Sequence, residues 1–263
     1  MTEERKQTIS LSDLVRNTAT YQRYSQWRKS VKRGFEKKKK MKDLARFYGE
    51  FVGKDSICFD IGANIGNRTE VFLKLGARVV VVEPQADCLQ VLRQKFSSSN
   101  QVSIVAKAID ALPGTKELFV GPSSTLASMS TEWIDRVSQA GRFEGHTWNR
   151  KVIVPTTTIS ELIKQYGVPA FCKIDVEGYE YPVLQGLSEP LPALSFEYTA
   201  DYPESTLKCI AHLAKVGMRT FNYSVGETLR FVLPAWVDAE EMMRIIREYP
   251  ASAPAAGDIY ARS

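Results

Sequence analysis

One segment of the chain carries residues suited to binding a nucleoside. Residues 59–67 read FDIGANIGN, directly after an apolar run and directly before a helical pattern. Gly62 and Gly66 would let the backbone approach a ligand closely, and Asn64 is one of the few residues other than glycine that tolerate a positive φ. The pattern predicts a ligand-binding loop that joins a strand to a helix.

An acidic residue, Glu83, stands at the end of the next predicted strand, where a carboxylate can accept hydrogen bonds from both hydroxyls of a ribose. The loop lacks the GxGxxG spacing that seats a pyrophosphate and the lysine of a phosphate loop. Asp60 would repel a pyrophosphate, but it can anchor the loop and face a cationic sulfonium ligand. The segment therefore favours a methyl donor over a dinucleotide. The candidate cofactor-binding residues are Asp60, Gly62, Asn64, Gly66, Asn67, Glu83 and Ala108.

A second acidic set lies in residues 173–180, KIDVEGYE, where the fourth strand of the predicted sheet ends. Ligands of open α/β sheets bind at the carboxyl ends of the strands, so Asp175 and Glu177 should face the same crevice as the first loop. Glu197 ends the following predicted strand and can reach that crevice. We predict that Asp175 or Glu177 is the catalytic base, which accepts the proton of a hydroxyl acceptor.

Three other interpretations stay open for this acidic set. Asp175 and Glu177 could serve only to cap the following helix, where the macrodipole favours negative charge. Asp175, Glu177 and Glu197 could together hold a Mg²⁺ ion that binds a vicinal diol, since oxygen ligands suit that ion. His146, in a polar loop, is a rival base.

Short β-branched runs alternate with helical patterns over most of the chain, which predicts βαβ units and a mostly parallel sheet. Thr158 and Glu161 have the spacing of a capping box, and Gly167 marks the end of the helix that they begin. The predicted strands are 57–61, 78–82, 102–106, 171–174 and 193–197. The predicted helices are 67–75, 86–96, 160–166, 179–187 and 205–216.

The alternation of strand and helix patterns stops in the middle of the chain, where residues 116–120 and 151–154 are predicted to pair as strands. The connection over residues 123–150 is long for a compact domain, and long connections are usually functional or mobile. We predict that it contacts the methyl acceptor. Further on, the pattern predicts a helix at 239–247 and strands at 219–223, 229–233 and 257–262.

The chain has 263 residues and a net charge of +5, which is concentrated near the N-terminus. Residues 1–46 contain 14 Lys and Arg but 5 Asp and Glu, and the rest of the chain has a net charge of −4. We predict a basic helical extension over residues 1–42 and one α/β domain over residues 43–263. No run approaches the ~20 apolar residues of a membrane span, and the four cysteines lack ligand spacing. We therefore expect a cytoplasmic chain with reduced thiols.

The three motifs together resemble the FkbM family of methyltransferases: FDIGANIG at 59–66, EP at 83–84 and KIDVEG at 173–178. The resemblance covers about residues 43–197 and implies a class I, Rossmann-like fold that binds S-adenosylmethionine. That fold has a seven-stranded, mostly parallel sheet with an antiparallel last strand and helices on both faces. The resemblance also implies O-methylation of hydroxyls on sugars or natural products, although one scaffold serves many acceptors.

We therefore predict a methyltransferase whose partner is a small-molecule or glycan acceptor. A nucleic-acid methyltransferase is an alternative, because a basic N-terminal arm suits a phosphate backbone. The chain lacks an Asn/Asp-Pro-Pro-aromatic motif, and the rest of it is acidic, so we expect no nucleic-acid partner. A non-catalytic module that binds the cofactor is the other alternative. The sequence does not indicate an oligomeric state.

Overall fold

The protein divides into two units, residues 1–44 and residues 45–263. The computed structural model describes residues 36, 38–121, 123–141, 147–226, 228–249 and 256–263. In the first unit residues 38–44 are helical, and most of the predicted basic extension lies outside the described residues. The predicted domain boundary at residue 42 stays a prediction.

The second unit begins with helical residues 45–48 and contains the strands and the remaining helices. Its strands are β1 Ile57–Ile61, β2 Arg78–Val82, β3 Val102–Val105, β4 Ala108–Ile109, β5 Gly114–Val120, β6 Ala127–Ser128, β7 Arg150–Thr157, β8 Phe171–Ile174, β9 Ala193–Thr199, β10 Thr220–Val225 and β11 Ala256–Arg262. Its helices are α1 Asn67–Lys74, α2 Ala86–Lys95, α3 Thr131–Gln139, α4 Ile159–Tyr166, α5 Glu180–Gln185, α6 Pro203–Val216 and α7 Ala239–Arg247.

Seven of the strands form one sheet in the order β3-β2-β1-β8-β9-β11-β10. The neighbours from β3 to β9 pair in parallel, whereas β11 is antiparallel to both β9 and β10. The chain leaves β1 in one direction through β2 and β3 and resumes on its other side at β8. Right-handed crossovers in opposite directions put helices on both faces. The predicted fold class is confirmed, and the carboxyl ends of β1 and β8 flank the crevice where such sheets bind ligands.

The parallel strands are apolar along almost their whole length because both faces of the sheet are covered. β8 is buried at all four positions, and β1 and β2 are buried at four of five. The core on one face joins Phe59, Ile174 and Phe196 from neighbouring strands. A charged residue in such a strand is therefore unusual, and β8 contains one, Lys173.

The helix α4 begins and ends at the predicted capping residues, with one difference in the cap. The hydroxyl of Thr158 accepts a hydrogen bond from the Glu161 backbone N–H at 3.1 Å, and Gly167 ends α4 with φ 96°. The Glu161 carboxylate, however, accepts a hydrogen bond from the hydroxyl of Thr157 instead of from the backbone of Thr158. Only half of the predicted capping box is present. The predicted helices agree with the observed ones to within two residues at each end.

A second sheet, in the order β4-β7-β5-β6, comes from the middle of the chain. The predicted strand pair is confirmed, since β5 and β7 are antiparallel and Lys116 lies opposite Val154. The connection between them is more ordered than the sequence indicated. It contains a 3₁₀ turn at Ser124–Leu126, the short strand β6 and the helix α3, whose N-cap is Ser130.

The predicted strand at residues 229–233 is wrong. β11 pairs with one edge of β10, and the other edge receives only isolated bonds: the Val232 N–H donates to the Tyr223 carbonyl at 2.9 Å, and Val237 forms a single bridge with Phe221. The side chain of Asn222 instead holds the backbone of Leu233, donating to its carbonyl at 3.0 Å and accepting from its N–H at 3.2 Å. The apolar residues of this segment pack as irregular chain, with Phe231 against Phe47 and Tyr260.

Two further expectations concern membranes and thiols. Among the described residues, none of the helices has the length and apolar character that a membrane crossing requires. All four cysteines are buried free thiols, as expected.

Candidate active site

A cavity of ≈ 260 Å³ opens at the carboxyl ends of β1, β2 and β8. Most of the predicted cofactor-binding residues line it, namely Asp60, Gly62, Asn64, Asn67, Glu83 and Ala108. Asp175 and Glu177, the predicted catalytic residues, line the same cavity. The structure therefore brings together two motifs that are more than a hundred residues apart in the chain.

Gly66 is the predicted cofactor-binding residue that does not border this cavity. It is the N-cap of α1 with φ 77°, and a Cβ atom there would lie 2.7 Å from the ring of Phe96 and 2.9 Å from the side chain of Leu92. Glycine is therefore required at this position by the packing of α1 against α2.

Asp60 anchors the first loop, as predicted. It is buried at the end of β1, and its Oδ2 accepts a 2.5 Å hydrogen bond from the hydroxyl of Thr69 on α1. Burial raises the pKa of the Asp60 carboxyl, while the Thr69 hydrogen bond and the nearby charge of Arg68 oppose that rise. The bond fixes the start of α1 relative to β1.

Gly62 and Asn64 give the loop its backbone path. Both have positive φ, 76° and 51°, as the residue types predicted. A Cβ atom on Gly62 would lie 1.8 Å from the carbonyl oxygen of Asp175, so the loop can touch the end of β8 only because this residue is glycine. The loop after β1 and the acidic segment after β8 are therefore in direct contact.

Glu83 connects the loops that follow β1 and β2. It is buried, and its Oε2 accepts from the Asn64 backbone N–H at 2.9 Å while its Oε1 accepts from the Gln85 backbone N–H at 2.8 Å. Burial raises the pKa of the Glu83 carboxyl, and these two hydrogen bonds oppose that rise. Each carboxylate oxygen keeps a second lone pair that can accept a ligand hydroxyl.

The turn after β8 has a strained backbone. Glu177 has φ 53°, which is uncommon for a residue other than glycine, and Gly178 follows with φ 84°. The Ser128 hydroxyl on β6 donates to the Glu177 carbonyl at 2.6 Å. The Glu180 carboxylate accepts from the N–H groups of Val176 at 3.3 Å and Gly178 at 3.2 Å. These two N–H groups belong to the turn before α5, so Glu180 fixes the turn, and the helix-capping role considered for Asp175 and Glu177 stays a hypothesis.

Three carboxylates converge beside this turn, and they are the three that the sequence singled out. Asp175, Glu177 and Glu197 each offer an oxygen within 4.8 Å of the others. Burial raises the pKa of Glu177 and of Glu197 well above the usual range, and the charge of Asp175 raises both further. Glu197 borders a separate cavity of ≈ 10 Å³ rather than the larger one.

Lys173 is a site residue that the sequence prediction missed. It is 1% exposed, and its ammonium lies 2.8 Å from Oδ1 of Asp258, 3.4 Å from Oδ2 of Asp175 and 3.1 Å from the Ile174 carbonyl. Burial lowers its pKa, but the carboxylates of Asp175 and Asp258 raise it more, so that the net pKa lies well above the usual range. The lysine in the otherwise apolar strand FCKI was the available signal.

The predicted acceptor connection is divided by the structure. Ser124 and Thr125 line the cavity on the side of the first loop, where the Asn64 amide donates to the Ser124 hydroxyl at 3.2 Å. The Gln85 amide also donates to the Ser124 carbonyl at 2.9 Å. Residues 142–146, including His146, lie outside the described residues. Ser124 thus contacts the predicted donor-binding loops, while Ala127 and Met129 of the same connection line the cavity beside Ser128, which bonds to Glu177.

Comparison with protein families matches residues 60–249 to the methyltransferase FkbM domain. A curated relative, the hexuronic acid methyltransferase AglP of Haloferax volcanii, is 27% identical over 157 residues. The alignment spans 59% of this chain and 59% of that protein.

Comparison with solved structures gives matches of low sequence identity. Precorrin-6y C5,15-methyltransferase of Geobacter metallireducens is 10% identical, with 86% of this chain and 87% of that chain covered and a TM-score of 0.42. Aeropyrum pernix fibrillarin in complex with natively bound S-adenosyl-L-methionine is also 10% identical, with 80% and 67% covered and a TM-score of 0.42.

Proposed function

Since this chain belongs to the FkbM methyltransferase domain family, we propose that it transfers the methyl group of S-adenosylmethionine to a hydroxyl of a sugar, glycan or natural product. The observation that carries the proposal is the single cavity that Glu83 and Asp175 share. Glu83, the proposed ribose ligand, and Asp175, a candidate catalytic base, then border the same active-site cavity.

The choice of donor is supported by the chemistry of the cavity. Four carboxylates and three cations line it, so negative charge is in slight excess, which suits a ligand with a sulfonium and an ammonium group better than a pyrophosphate. The carboxylates are Asp60, Glu83, Asp175 and Glu177, and the cations are Arg68, Lys107 and Lys173. Glu83 is proposed to bind both ribose hydroxyls, because its two oxygens are already oriented by backbone N–H groups. Ala108, which follows β3, is proposed to contact the adenine ring of the donor.

The choice of a hydroxyl acceptor is supported by the group of carboxylates at the end of β8. Transfer forms a bond between the acceptor oxygen and the methyl carbon and breaks the bond between that carbon and sulfur. The sulfur keeps the electron pair, and the hydroxyl proton must go to a base. We propose that Asp175 or Glu177 accepts it, which contributes roughly 10²–10⁴-fold to the rate. The relative that acts on a hexuronic acid supports a sugar as the acceptor class.

The Mg²⁺ alternative uses the same three carboxylates, whose oxygens are close enough to share an ion. The Lys173 ammonium, however, lies 3.4 Å from Asp175 and already supplies a positive charge at this place. We therefore propose that the transfer needs no metal ion.

The donor proposal is tested by calorimetric titration with S-adenosylhomocysteine. Native chain is compared with Glu83→Ala and with a matched control, Glu189→Ala, an exposed glutamate outside the cavity. We expect the loss of two charged hydrogen bonds to weaken binding roughly a hundredfold or more in Glu83→Ala and not in the control. If the native chain does not bind, the donor proposal is wrong; if Glu83→Ala binds as tightly, only the ribose assignment is wrong.

The acceptor proposal needs a separate assay. Formation of S-adenosylhomocysteine is followed with glucose, glucuronic acid and their p-nitrophenyl glycosides, each with and without Mg²⁺. We expect turnover with at least one hydroxylated acceptor and no dependence on the ion. Donor binding without turnover on any hydroxylated compound would favour a non-catalytic module instead.

A further inference from the structure

The two candidate bases differ in the contacts of their carboxylates. Oδ2 of Asp175 lies 3.4 Å from the Lys173 ammonium, so that carboxylate is already engaged by a cation. The Glu177 carboxylate lines the same cavity and makes no hydrogen bond or ion pair with the residues that the structure describes. A carboxylate without bound donors keeps all of its lone pairs for the proton of an acceptor. Glu177 is therefore the better placed of the two to act as the base.

The backbone of Glu177 needs support if its side chain is to keep one direction. Glu177 has φ 53°, and Gly178 has φ 84°. The left-handed region costs a glutamate free energy that it does not cost a glycine. Such a conformation persists only where the surrounding structure determines it. The peptide groups around Glu177 must therefore be held by other residues.

The peptide group between Glu177 and Gly178 is held at both ends. Its carbonyl accepts a hydrogen bond from the Ser128 hydroxyl at 2.6 Å, and its N–H donates to the Glu180 carboxylate at 3.2 Å. The carbonyl and the N–H of a trans peptide point in opposite directions, so the two partners lie on opposite sides of it. Because the group is planar, these two bonds place the Cα atom of Glu177 and limit the directions that its side chain can take.

Ser128 is itself held by regular structure on both sides. It belongs to β6, which pairs with β5, and it is 1% exposed. Its oxygen accepts from the Ser130 backbone N–H at 2.9 Å, and its single proton is directed at the Glu177 carbonyl. Successive residues of a strand face opposite sides, and Ala127 and Met129 line the cavity whereas Ser128 does not. Ser128 therefore acts on Glu177 and not on a ligand.

We propose that Ser128 is a positioning residue for methyl transfer, which holds the peptide group after Glu177 and so keeps the Glu177 carboxylate directed into the cavity as the base. As the bond between the acceptor oxygen and the methyl carbon forms, the hydroxyl proton goes to Glu177 and the sulfur keeps the electron pair of the broken bond. The inference rests on the proposed function, because it chooses between the two candidate bases of that reaction. It gives the second sheet, through β6, a part in the proton transfer.

The test measures turnover and donor affinity in Ser128→Ala, with turnover followed as formation of S-adenosylhomocysteine on a hydroxylated acceptor. We expect kcat to fall on the order of tenfold to a hundredfold, because a misplaced catalytic group costs about that much. The affinity for S-adenosylhomocysteine, measured by calorimetry, should change less than about threefold. Ser128→Thr keeps a hydroxyl and should restore kcat to within about threefold of the native value. An unchanged kcat in Ser128→Ala overturns the inference.

Ser160→Ala is the matched control for the loss of a hydroxyl. The Ser160 hydroxyl likewise donates to a backbone carbonyl, that of Gly186 at 2.9 Å, but Ser160 does not border the cavity. This variant loses a bond of the same kind and should keep the native kcat. An equal fall of kcat in Ser160→Ala and Ser128→Ala would show that any lost hydroxyl lowers turnover, and it would overturn the role of Ser128.

A double variant separates positioning from general support of the fold. If Ser128 acts through the Glu177 carboxylate, Ser128→Ala should lower kcat less than about twofold in a Glu177→Gln background. A loss as large as in the native background overturns the inference, and so does native turnover in Glu177→Gln alone. A native chain without turnover on any hydroxylated acceptor contradicts the proposed function instead. The crystal structure of Ser128→Ala then decides the positioning: a displaced Glu177 carboxylate supports it, and an unchanged one overturns it.

Discussion

Glu83 and Glu177 are both glutamates at the carboxyl end of the sheet, and their surroundings differ in kind. Each oxygen of Glu83 accepts a backbone hydrogen bond from a loop next to it. The Glu177 carboxylate has no hydrogen bond or ion pair with the described residues, although its backbone is held in the left-handed region and its carbonyl accepts from Ser128. One glutamate has a satisfied side chain; the other has a constrained backbone and an unsatisfied side chain.

This difference between the two glutamates suits Glu83 to ligand binding and Glu177 to proton transfer. A group that binds a constant part of a ligand benefits from fixed orientation before the ligand arrives. A group that exchanges a proton needs a carboxylate that is not already committed to donors, and strained backbone with shifted pKa values tends to concentrate at such positions. We therefore propose that the loops after β1 and β2 bind the methyl donor and that the turn after β8 takes part in the proton transfer.

The largest expected effect comes from removing a carboxylate at the reactive end. In Asp175→Asn and Glu177→Gln, the variant that lacks the base should lose roughly 10²–10⁴-fold in turnover, while its affinity for S-adenosylhomocysteine changes less than about threefold. Turnover is measured as S-adenosylhomocysteine formation and affinity by calorimetry. Equal losses of turnover and affinity in both variants would show that these residues support the fold of the site instead.

The comparison also shows which parts of the site the sequence could predict. Glu83 and Asp175 were predicted because each follows a strand whose apolar pattern is local, and the carboxyl ends of parallel strands share one edge. Lys173 and Asp258 are 85 positions apart and meet only because β11 inserts beside β9. Ser124 meets Asn64 across 60 positions for a similar reason. Pairings of this kind depend on strand order and register, which residue spacing does not contain.

Two errors in the fold have physical causes of the same kind. Residues 229–233 have the apolar composition of a strand, but the Asn222 side chain takes both backbone groups of Leu233, so no regular ladder forms along the outer edge of β10. The helix α3 begins at the Ser130 cap inside the connection over residues 123–150, for which the sequence analysis predicted no helix. Its Trp133 packs against Gly178, so this helix is stabilised by a tertiary contact with the turn after β8.

The second prediction concerns that contact. A Cβ atom on Gly178 would lie 2.1 Å from Cγ of Trp133, and the residue also has φ 84°. Gly178→Ala should lower the free energy of unfolding by about 3 kcal/mol, from steric overlap added to the cost of a left-handed alanine. Gly226→Ala is the matched control, because φ is 52° there and no atom lies within 4 Å of the added Cβ. We expect the control to lose only about 1 kcal/mol in urea denaturation. Equal losses would mean that Trp133 moves without cost.

The smallest expected effect comes from Glu180, the counterpart of Glu83 at the reactive end. Both are buried carboxylates that accept two backbone N–H groups, but Glu180 stands near the charge of Asp175. Burial raises the pKa of Glu180 from 4.5 to about 7. The folded state therefore prefers protonated Glu180, whose stabilising contribution is complete below pH 4.5 and is lost as the pH rises through about 7.

Glu180→Gln removes this titration while keeping an oxygen that can accept the same hydrogen bonds. Relative to the native chain, the variant should gain about 2 kcal/mol in free energy of unfolding between pH 5 and pH 8, measured by urea denaturation at each pH. The charge of Glu180 also raises the pKa of Glu177 and of Glu197, so removing it reduces their loss of stability with rising pH and adds to the gain in the same direction. Glu189→Gln, at an exposed position, should follow the native curve. If the curve of Glu180→Gln also follows the native curve, Glu180 is already ionised near pH 5. The turn after β8 would then stabilise an ionised carboxylate as well as the site of Glu83 does.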